Sequence, residues 1–192
     1  MLNPDTILSK NCINELIHQA NLIKNKFAIL APSEKNIIKK EIMEVDHVKG
    51  FSMLVNLSKI KKIKMFDENF FLYLEEIDLC KRLKLASEKI YICGKAKITH
   101  LSAKSSNIGF EFEKCRNWHW MWSKVYYNKK YKNFFYVLRK AFLTIFFNYT
   151  KGILFYLFNR KISQIYFLRG SGTLNAIMGK NSWYRPKINF TN

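Results

Sequence analysis

The chain has 192 residues, and its 33 Lys and Arg against 14 Asp and Glu give a formal net charge of +19. Because 48% of the residues are hydrophobic and 16% are aromatic, the sequence is not a disordered basic tail and must fold around a core. The four cysteines form no Cys-x-x-Cys pair, which argues against a zinc knuckle or a disulfide scaffold and favours a reducing compartment.

The amino half of the chain carries a predicted helix and short apolar strands. After a turn, residues 5–26 have apolar side chains at three- and four-residue steps, which predicts a helix. Residues 27–30 form a short apolar run that Pro32 ends, and this run predicts a strand. Residues 50–57 begin with a glycine and predict a second strand, and residues 59–64 predict a solvated turn or short helix.

The middle of the chain returns to alternating helix and strand. A helix is predicted over residues 75–86, a strand over residues 89–93 and a second short strand over residues 96–100. From Glu111 onward the pattern is helical. The chain is therefore predicted to have an α/β fold followed by a helical region.

The basic charge is concentrated in the carboxy-terminal part. Residues 1–113 hold 18 basic and all 14 acidic residues, whereas residues 114–192 hold 15 basic residues and no acid. Aromatic residues interleave with these bases, so the segment suits a partner that is anionic and partly apolar, as a membrane surface is. Nucleic acid fits the charge, but a binding groove for it rarely needs so many aliphatic and Phe residues. Compositional drift is the remaining explanation of the charge.

Residues 141–158 form the most apolar stretch of this region. They are nearly long enough to span a bilayer, but Lys151 lies mid-segment, and a central Lys costs roughly 2.5 to 3.5 kcal/mol on insertion. Basic residues flank both ends, and these attract anionic headgroups. We therefore expect the segment to lie in the membrane interface, with a single span as the alternative.

Three carboxylates open the predicted helix over residues 75–86. Acids at the start of a helix and bases later on stabilise many helices, so Glu75, Glu76 and Asp78 need no function to explain them. However, the apolar run of residues 70–74 leads directly into them. It favours a partly desolvated cleft in which one carboxylate could act as a general base.

The sequence from Leu2 to Lys124 carries an ordered set of short motifs. A Gly-led strand is followed by an acidic and aromatic segment, a strand pair ending in His, and a Ser-containing loop. Their order and spacing resemble those of the family 2 inverting glycosyltransferases of GT-A fold, particularly the bacterial rhamnosyltransferase-like members. The residues that carry the resemblance are Leu2, Asn3, Pro4, Asp5, Gly50, Phe66, Asp67, Glu68, Phe70, Phe71, Tyr73, Glu75, Glu76, Asp78, Leu79, Cys80, Arg82, Ala96, His100, Ser105, Ser106, Arg116, Asn117 and Lys124.

The resemblance implies a divalent metal site. Asp5 matches the metal-binding Asp of the family's Asp-x-Asp-type motif, with Asn3 in place of the first acid. His100 matches the His that completes the metal site in some members. These two residues would hold Mg or Mn against the diphosphate of the donor, because such hard cations take oxygen ligands and phosphates.

The resemblance also implies catalytic and substrate-binding residues. Glu76 falls on the family's base, usually an Asp, which deprotonates the acceptor hydroxyl for in-line attack at the anomeric carbon. Glu75 and Asp78 would orient that base or contact the acceptor. The residues expected to bind substrate are Gly50, Arg82 and Ser105, with Gly50 letting the backbone pass close to it.

The resemblance divides the chain into two regions. Residues 1–110 correspond to the acceptor-binding and catalytic half of a GT-A domain, and residues 111–192 form a basic, aromatic, helical and membrane-associating tail. The nucleotide-binding half of such enzymes precedes the matching segment and is not in this sequence. We expect a start codon assigned too late, a partner chain that supplies the missing half, or a decayed gene.

The implied function is sugar transfer with inversion. The donor would be a nucleotide-diphosphate sugar, and the acceptor a lipid-linked or cell-surface polysaccharide. No signal peptide opens the chain, so we expect a cytoplasmic protein held peripherally on the inner face of the cell membrane. The alternative is a noncatalytic remnant that acts as a basic peripheral membrane-binding protein, and nucleic acid is not expected as a partner.

Overall fold

The computed structural model of the chain describes residues 1–24, 26–34, 40–101 and 109–187. They form two compact units. The first, called the sheet unit, comprises Met1–Asp67 and Glu76–Asn107, and the second, called the helical unit, comprises Glu68–Glu75 and Ile108–Asn192. The prediction of a mixed α/β protein is confirmed.

The sheet unit is built on a five-stranded mixed sheet. Its strands are β1 (Thr6–Leu8), β2 (Ile29–Glu34), β3 (Ile42–Glu44), β4 (Leu54–Val55) and β5 (Ile90–His100). β2 lies between β4 and β5, and it pairs parallel with β5 and antiparallel with β4. β1 and β3 both pair antiparallel with β5, at different points along its length.

A bulge in β5 explains two errors of sequence-based prediction. Pro32 of β2 pairs with Cys93, but the next residue, Ser33, pairs with Lys97, so residues 94–96 are extra on the β5 side. The two short strands predicted here are therefore one bulged strand. Pro32 does not end β2, because a proline without an N–H is tolerated where the ladder is interrupted.

Six helices complete the described fold. They are α1 (Cys12–Leu22), α2 (Leu57–Ile60), α3 (Glu75–Leu85), α4 (Gly109–Tyr131), α5 (Phe134–Tyr156) and α6 (Arg160–Ile177). The helix predicted over residues 75–86 is confirmed by α3, and the helical character from Glu111 onward by α4 to α6. The first predicted helix is too long, because its opening residues form β1.

Alternate residues of β2 build two buried clusters, one on each face of the sheet. Ala31 and Ile29 share a cluster with Leu79 and Leu83 of α3. Leu30 instead packs with residues of α1, including Leu16. Successive side chains of a strand point to opposite faces, so α3 and α1 cover opposite faces of the sheet.

In the helical unit, α6 packs against both α4 and α5. Glycines make the close approach possible. A Cβ on Gly172 of α6 would collide with the backbone carbonyl oxygen of Trp118 in α4, and a Cβ on Gly152 of α5 would lie 2.9 Å from the ring of Phe167 in α6. Within the described ranges, we find no helix with the length and hydrophobicity needed to cross a membrane.

Candidate active site

The first residues of the chain run antiparallel to the segment that follows Gly50. The amide of Asn3 donates to the carbonyl of Phe51 (2.8 Å), and the amide of Met53 donates to the carbonyl of Met1 (3.0 Å). These hydrogen bonds fix the start of the chain beside the Gly50-led segment. The turn that holds Asp5 and the predicted substrate-binding glycine are therefore parts of one structure.

Asp5 and His100 are brought together by strand pairing. Thr6 at the start of β1 pairs with His100 at the end of β5. The adjacent Asp5 places its Oδ2 3.2 Å from Nε2 of His100. Asp5 is only 9% exposed, and the side chain of His100 is 22% exposed. The structure thus pairs the two residues that the sequence proposed as metal ligands.

Phe51 and Gly50 extend this pair toward the acids of α3. The ring of Phe51 stacks on the imidazole of His100, with ring centroids 4.6 Å apart and planes 15° from parallel. Gly50 precedes it, and a Cβ there would lie 3.3 Å from Cβ and 3.4 Å from Cγ of Glu76. Asp5, His100, Phe51, Gly50 and Glu76 consequently follow one another in a continuous series of contacts.

Glu76 packs beside Gly50 at the amino end of α3. Glu76 lies in the first turn of α3, where the partial positive charge of the helix amino end stabilises an anion. The side chain of Glu76 packs against the backbone of Gly50, where a larger residue would press on its Cβ and Cγ. The glycine therefore allows the segment after Gly50 and the start of α3 to approach each other this closely.

Asp78 and Arg82 have a structural role in the sheet unit. Asp78 is fully buried, and its Oδ2 accepts from Nε of Arg82 at 2.8 Å. The terminal nitrogens of Arg82 donate to the backbone carbonyls of Ile63, Lys64 and Met65. This arrangement fixes the turn ahead of the acidic and aromatic segment. A contact of Asp78 or Arg82 with substrate stays a prediction.

Glu75 and Ser105 are the remaining predicted site residues. The Oε2 atom of Glu75 is buried, and no described residue forms a hydrogen bond with it. A buried carboxylate oxygen without a donor is costly, so Glu75 suits a role in which a substrate or solvent group satisfies it. Ser105, the last predicted substrate-binding residue, lies outside the described residues.

The protein ligands for a metal would be few. Across residues 1–24, 26–34, 40–101 and 109–187, no group of three or more His, Cys, Asp and Glu side chains could hold an ion. Asp5 and His100 supply one oxygen and one nitrogen, 3.2 Å apart. At this distance the two side chains contact each other directly, and a cation held by both stays a prediction.

Sequence reasoning missed Phe51 as a site residue. Its ring packs on the imidazole that the sequence proposed as a ligand, and its backbone carbonyl anchors Asn3. The available signal was an aromatic residue directly after Gly50. That signal is weak, because an aromatic residue in an apolar strand is usually part of the core.

Comparison with known proteins gives one partial relationship. No family model matches the chain. Over 75 residues the chain is 37% identical to rhamnosyltransferase WbbL of Escherichia coli strain K12. The matched segment covers 39% of this chain and 28% of that protein, well under two thirds of its length. The match supports a glycosyltransferase-like relationship over this segment.

Proposed function

We propose that the chain carries the catalytic and acceptor-binding part of an inverting glycosyltransferase of family 2 and GT-A fold. The observation that supports this most is the continuous series of contacts from Asp5 through His100, Phe51 and Gly50 to Glu76. The partial similarity to a protein named rhamnosyltransferase supports the same class. The substrates would be a nucleotide-diphosphate sugar and a lipid-linked or cell-surface polysaccharide acceptor.

In the proposed reaction Glu76 is the general base. Its carboxylate takes the proton of an acceptor hydroxyl as the hydroxyl oxygen forms a bond to the anomeric carbon. The bond from that carbon to the diphosphate oxygen breaks on the opposite side, and the nucleotide diphosphate leaves with inversion. Gly50 lets the backbone pass close to Glu76. Glu75, whose Oε2 is buried without a described donor, would accept from an acceptor hydroxyl.

Asp5 and His100 would hold the Mg or Mn ion that such a reaction uses. When bound, this cation neutralises negative charge on the donor diphosphate. Phe51 holds the imidazole plane by stacking, and β1 pairing holds the carboxylate beside it. Both protein ligands are therefore oriented before any metal binds, as ligands of effective sites are.

The catalytic proposal is tested by substituting one carboxylate at a time. The protein, alone and with any chain that supplies a nucleotide-binding half, is incubated with Mn²⁺, a panel of nucleotide sugars and prenyl-diphosphate saccharides. Release of nucleotide diphosphate should fall about 100-fold or more in Glu76→Gln, the range typical of losing a general base. The matched control is Glu44→Gln, an exposed carboxylate of β3 paired with Lys89. No release by wild type, or equal release by both variants, would rule out catalysis by Glu76.

A second function is favoured by the surface of α5. Only Val137, Ala141 and Gly152 of its 23 residues are buried, whereas many large apolar side chains are more than half exposed. These exposed side chains are Phe134, Phe135, Phe142, Phe146, Phe147, Ile153, Leu154 and Tyr156. Residues 114–192 contain no acid that would repel a negatively charged surface.

We therefore propose that α5 lies in the interface of an anionic membrane, on the inner face of the cell membrane. Exposed rings suit the headgroup level, and each nearby Lys or Arg adds about 1 kcal/mol on an anionic surface. The protein should float with vesicles that contain phosphatidylglycerol and remain at the bottom with phosphatidylcholine alone. Flotation without any metal-dependent donor binding would favour the noncatalytic membrane protein over the transferase. If the protein floats with neither vesicle type, the membrane proposal is contradicted.

A further inference from the structure

The helical unit contains a second candidate site, built mainly on one face of α4. A cavity of about 420 Å³ is lined by Tyr73, Glu113, Arg116, Asn117, Trp120 and Arg169. The four α4 residues follow helical spacing, so they share one side of the helix. Arg169 comes from α6 and Tyr73 from the segment before α3.

Two guanidinium groups in this cavity are already oriented. Nε of Arg116 donates to the hydroxyl of Tyr73 at 2.6 Å, and Nε of Arg169 donates to Oδ1 of Asn117 at 2.7 Å. Neither guanidinium has an ion-pair partner among the residues that the structure describes. Each hydrogen bond uses Nε and leaves the two terminal nitrogens for a ligand. Fixed forks of this kind match the oxygens of a phosphate.

Trp120 adds an exposed ring to the cavity. It is 44% exposed, although Trp118 and Trp122 on the same helix are 0% and 3% exposed. The edge of its ring meets Tyr73, with ring centroids 5.4 Å apart at 87°. A large apolar ring that is held in place but left partly open to solvent can stack on the apolar face of a sugar.

The backbone beside the cavity is in a conformation that needs support. Tyr73 and Leu74 both have a φ of 69°, a left-handed conformation that residues other than glycine rarely adopt. The hydroxyl of Ser123 in α4 donates to the carbonyl of Leu72 at 2.7 Å, and Arg116 holds the Tyr73 hydroxyl. Two consecutive strained residues, held by α4 through Ser123 and the cavity-lining Arg116, are typical of binding sites.

We propose that this cavity binds a phosphate-bearing saccharide. Arg116 and Arg169 bind its phosphate oxygens, Trp120 stacks on a sugar ring, and the exposed carboxylate of Glu113 accepts from a sugar hydroxyl. The inference rests on the proposed function for the identity of this ligand, the diphosphate-linked sugar of the lipid-linked acceptor. A nucleotide sugar shares that chemistry, so the test must separate the two sources.

The test measures binding without turnover, by titration calorimetry of the full chain in the absence of metal. The probes are farnesyl-diphosphate glucose, UDP-glucose, glucose 1-phosphate and the uncharged methyl glucoside. We expect farnesyl-diphosphate glucose to bind at least tenfold more tightly than methyl glucoside and more tightly than UDP-glucose. Tighter binding of UDP-glucose would assign the cavity to a donor and overturn the acceptor proposal.

Single substitutions then locate the binding. Arg116→Gln and Arg169→Gln should each weaken binding of farnesyl-diphosphate glucose about tenfold or more, as expected for charge-assisted hydrogen bonds. Arg169→Lys should fail to restore it, because an ammonium group lacks the planar fork. The control Arg139→Gln removes the same charge from an exposed position on α5 and should change affinity less than twofold. Tyr73→Phe keeps both guanidinium groups and removes only the hydroxyl to which Arg116 donates. It therefore serves as a second variant if Arg116→Gln misfolds.

The outcomes separate this inference from the transferase proposal. Arg-dependent binding that persists in Glu76→Gln supports the cavity whatever the transfer assay shows. The protein could instead transfer sugar while its binding of every phosphate-bearing probe is unaffected by Arg116→Gln and Arg169→Gln. That result would overturn the proposal for the cavity and leave the catalytic proposal intact. Absence of binding by wild type at millimolar probe would overturn the cavity as well.

Discussion

The sheet unit and the helical unit use their apolar residues in opposite ways. In β2, Ile29 and Leu30 are 0% exposed, and they are packed between α1 and α3. In α5, Phe135 and Phe142 are 75% and 67% exposed. Apolar residues therefore specify the fold in the first unit, whereas in the second many of them specify a surface.

The charged residues differ in the same way. In the sheet unit, described acids are matched with bases around the strands, as in Lys89 with Glu44 and Lys59 with Glu88. In the helical unit, Glu111 pairs with Lys114, but residues 114–192 hold 15 bases and no acid. The positive charge of the helical unit is thus available to an external anion.

The largest expected effect on stability contrasts a buried with an exposed leucine on α3. Leu79 is 0% exposed and belongs to the cluster around β2, whereas Leu85 is 66% exposed. Leu79→Ala should lower the free energy of unfolding by about 2 to 5 kcal/mol, because it leaves a cavity. Leu85→Ala should change it by about 0.5 kcal/mol or less. Equal values in urea unfolding would contradict the description of the core.

The next effect concerns the contact between α4 and α6. Gly172→Ala would press a methyl group against the backbone carbonyl of Trp118, which cannot rotate away, and should cost about 1 to 3 kcal/mol in stability. Gly152→Ala meets the ring of Phe167 instead, at 2.9 Å, and a ring can shift. We therefore expect thermal unfolding to show a smaller loss for Gly152→Ala. A larger loss there would mean that the helices approach differently.

A pH effect should arise from His119, which is fully buried in α4. Burial lowers the pKa of its imidazole, and the charge of Arg185 adds to this, although the hydrogen bond to the Tyr184 carbonyl raises the pKa in part. The folded protein therefore holds His119 neutral, and the unfolded chain binds its proton more readily. The stabilisation that comes from neutral His119 should be fully present above about pH 6.5 and be lost as the pH decreases from there.

The variant His119→Gln isolates this titration, because an amide can still donate to the Tyr184 carbonyl but does not ionise. Urea unfolding between pH 7.5 and 5 should show a decrease in wild type that is flattened in His119→Gln. Asp46 and Glu41 have pKa values lowered by Lys84 and Lys95, so they contribute only at more acidic pH. An identical decrease in both proteins would contradict the assignment to His119.

Substituting an exposed ring of α5 should have the smallest effect on stability. The substitution should instead weaken membrane binding. Phe142→Ala should change the free energy of unfolding by about 0.5 kcal/mol or less, because the ring is 67% exposed. The same substitution should weaken binding to phosphatidylglycerol vesicles by roughly three- to tenfold, as a ring is lost from the interface. Ile17→Ala, half exposed on α1 of the sheet unit, should leave vesicle binding unchanged.

The sequence predicted the long regular elements better than the short ones. The helix α3 and the helices of the basic region run for 11 to 23 residues without a proline, so their existence was predictable. The strand β1 was not, because three residues give no usable period and lie beside a strong helical pattern. The bulge in β5 depends on pairing with β2, which local sequence does not encode.

The candidate site could be predicted only in part, again because local sequence does not encode which distant residues meet. Asp5 and His100 were proposed together only through the resemblance, since 94 intervening residues carry no local signal that they meet. Pairing of Thr6 with His100 is the physical cause of their contact. The cavity around Arg116 and Arg169 depends on the packing of α4 against α6, and the sequence gives no indication that these two arginines share a pocket.

The most direct test of the proposed site is Mn²⁺ binding measured by electron paramagnetic resonance, with UDP, GDP or dTDP present. Wild-type protein, with any chain that supplies a nucleotide-binding half, should bind Mn²⁺ together with one of these nucleotides, and Asp5→Asn and His100→Phe should each weaken that binding at least tenfold. The control Asp46→Asn removes an exposed carboxylate of the same unit and should bind as wild type does. Mn²⁺ binding that is unaffected by Asp5→Asn and His100→Phe, or no binding at all, would contradict a metal-dependent transferase site at Asp5 and His100.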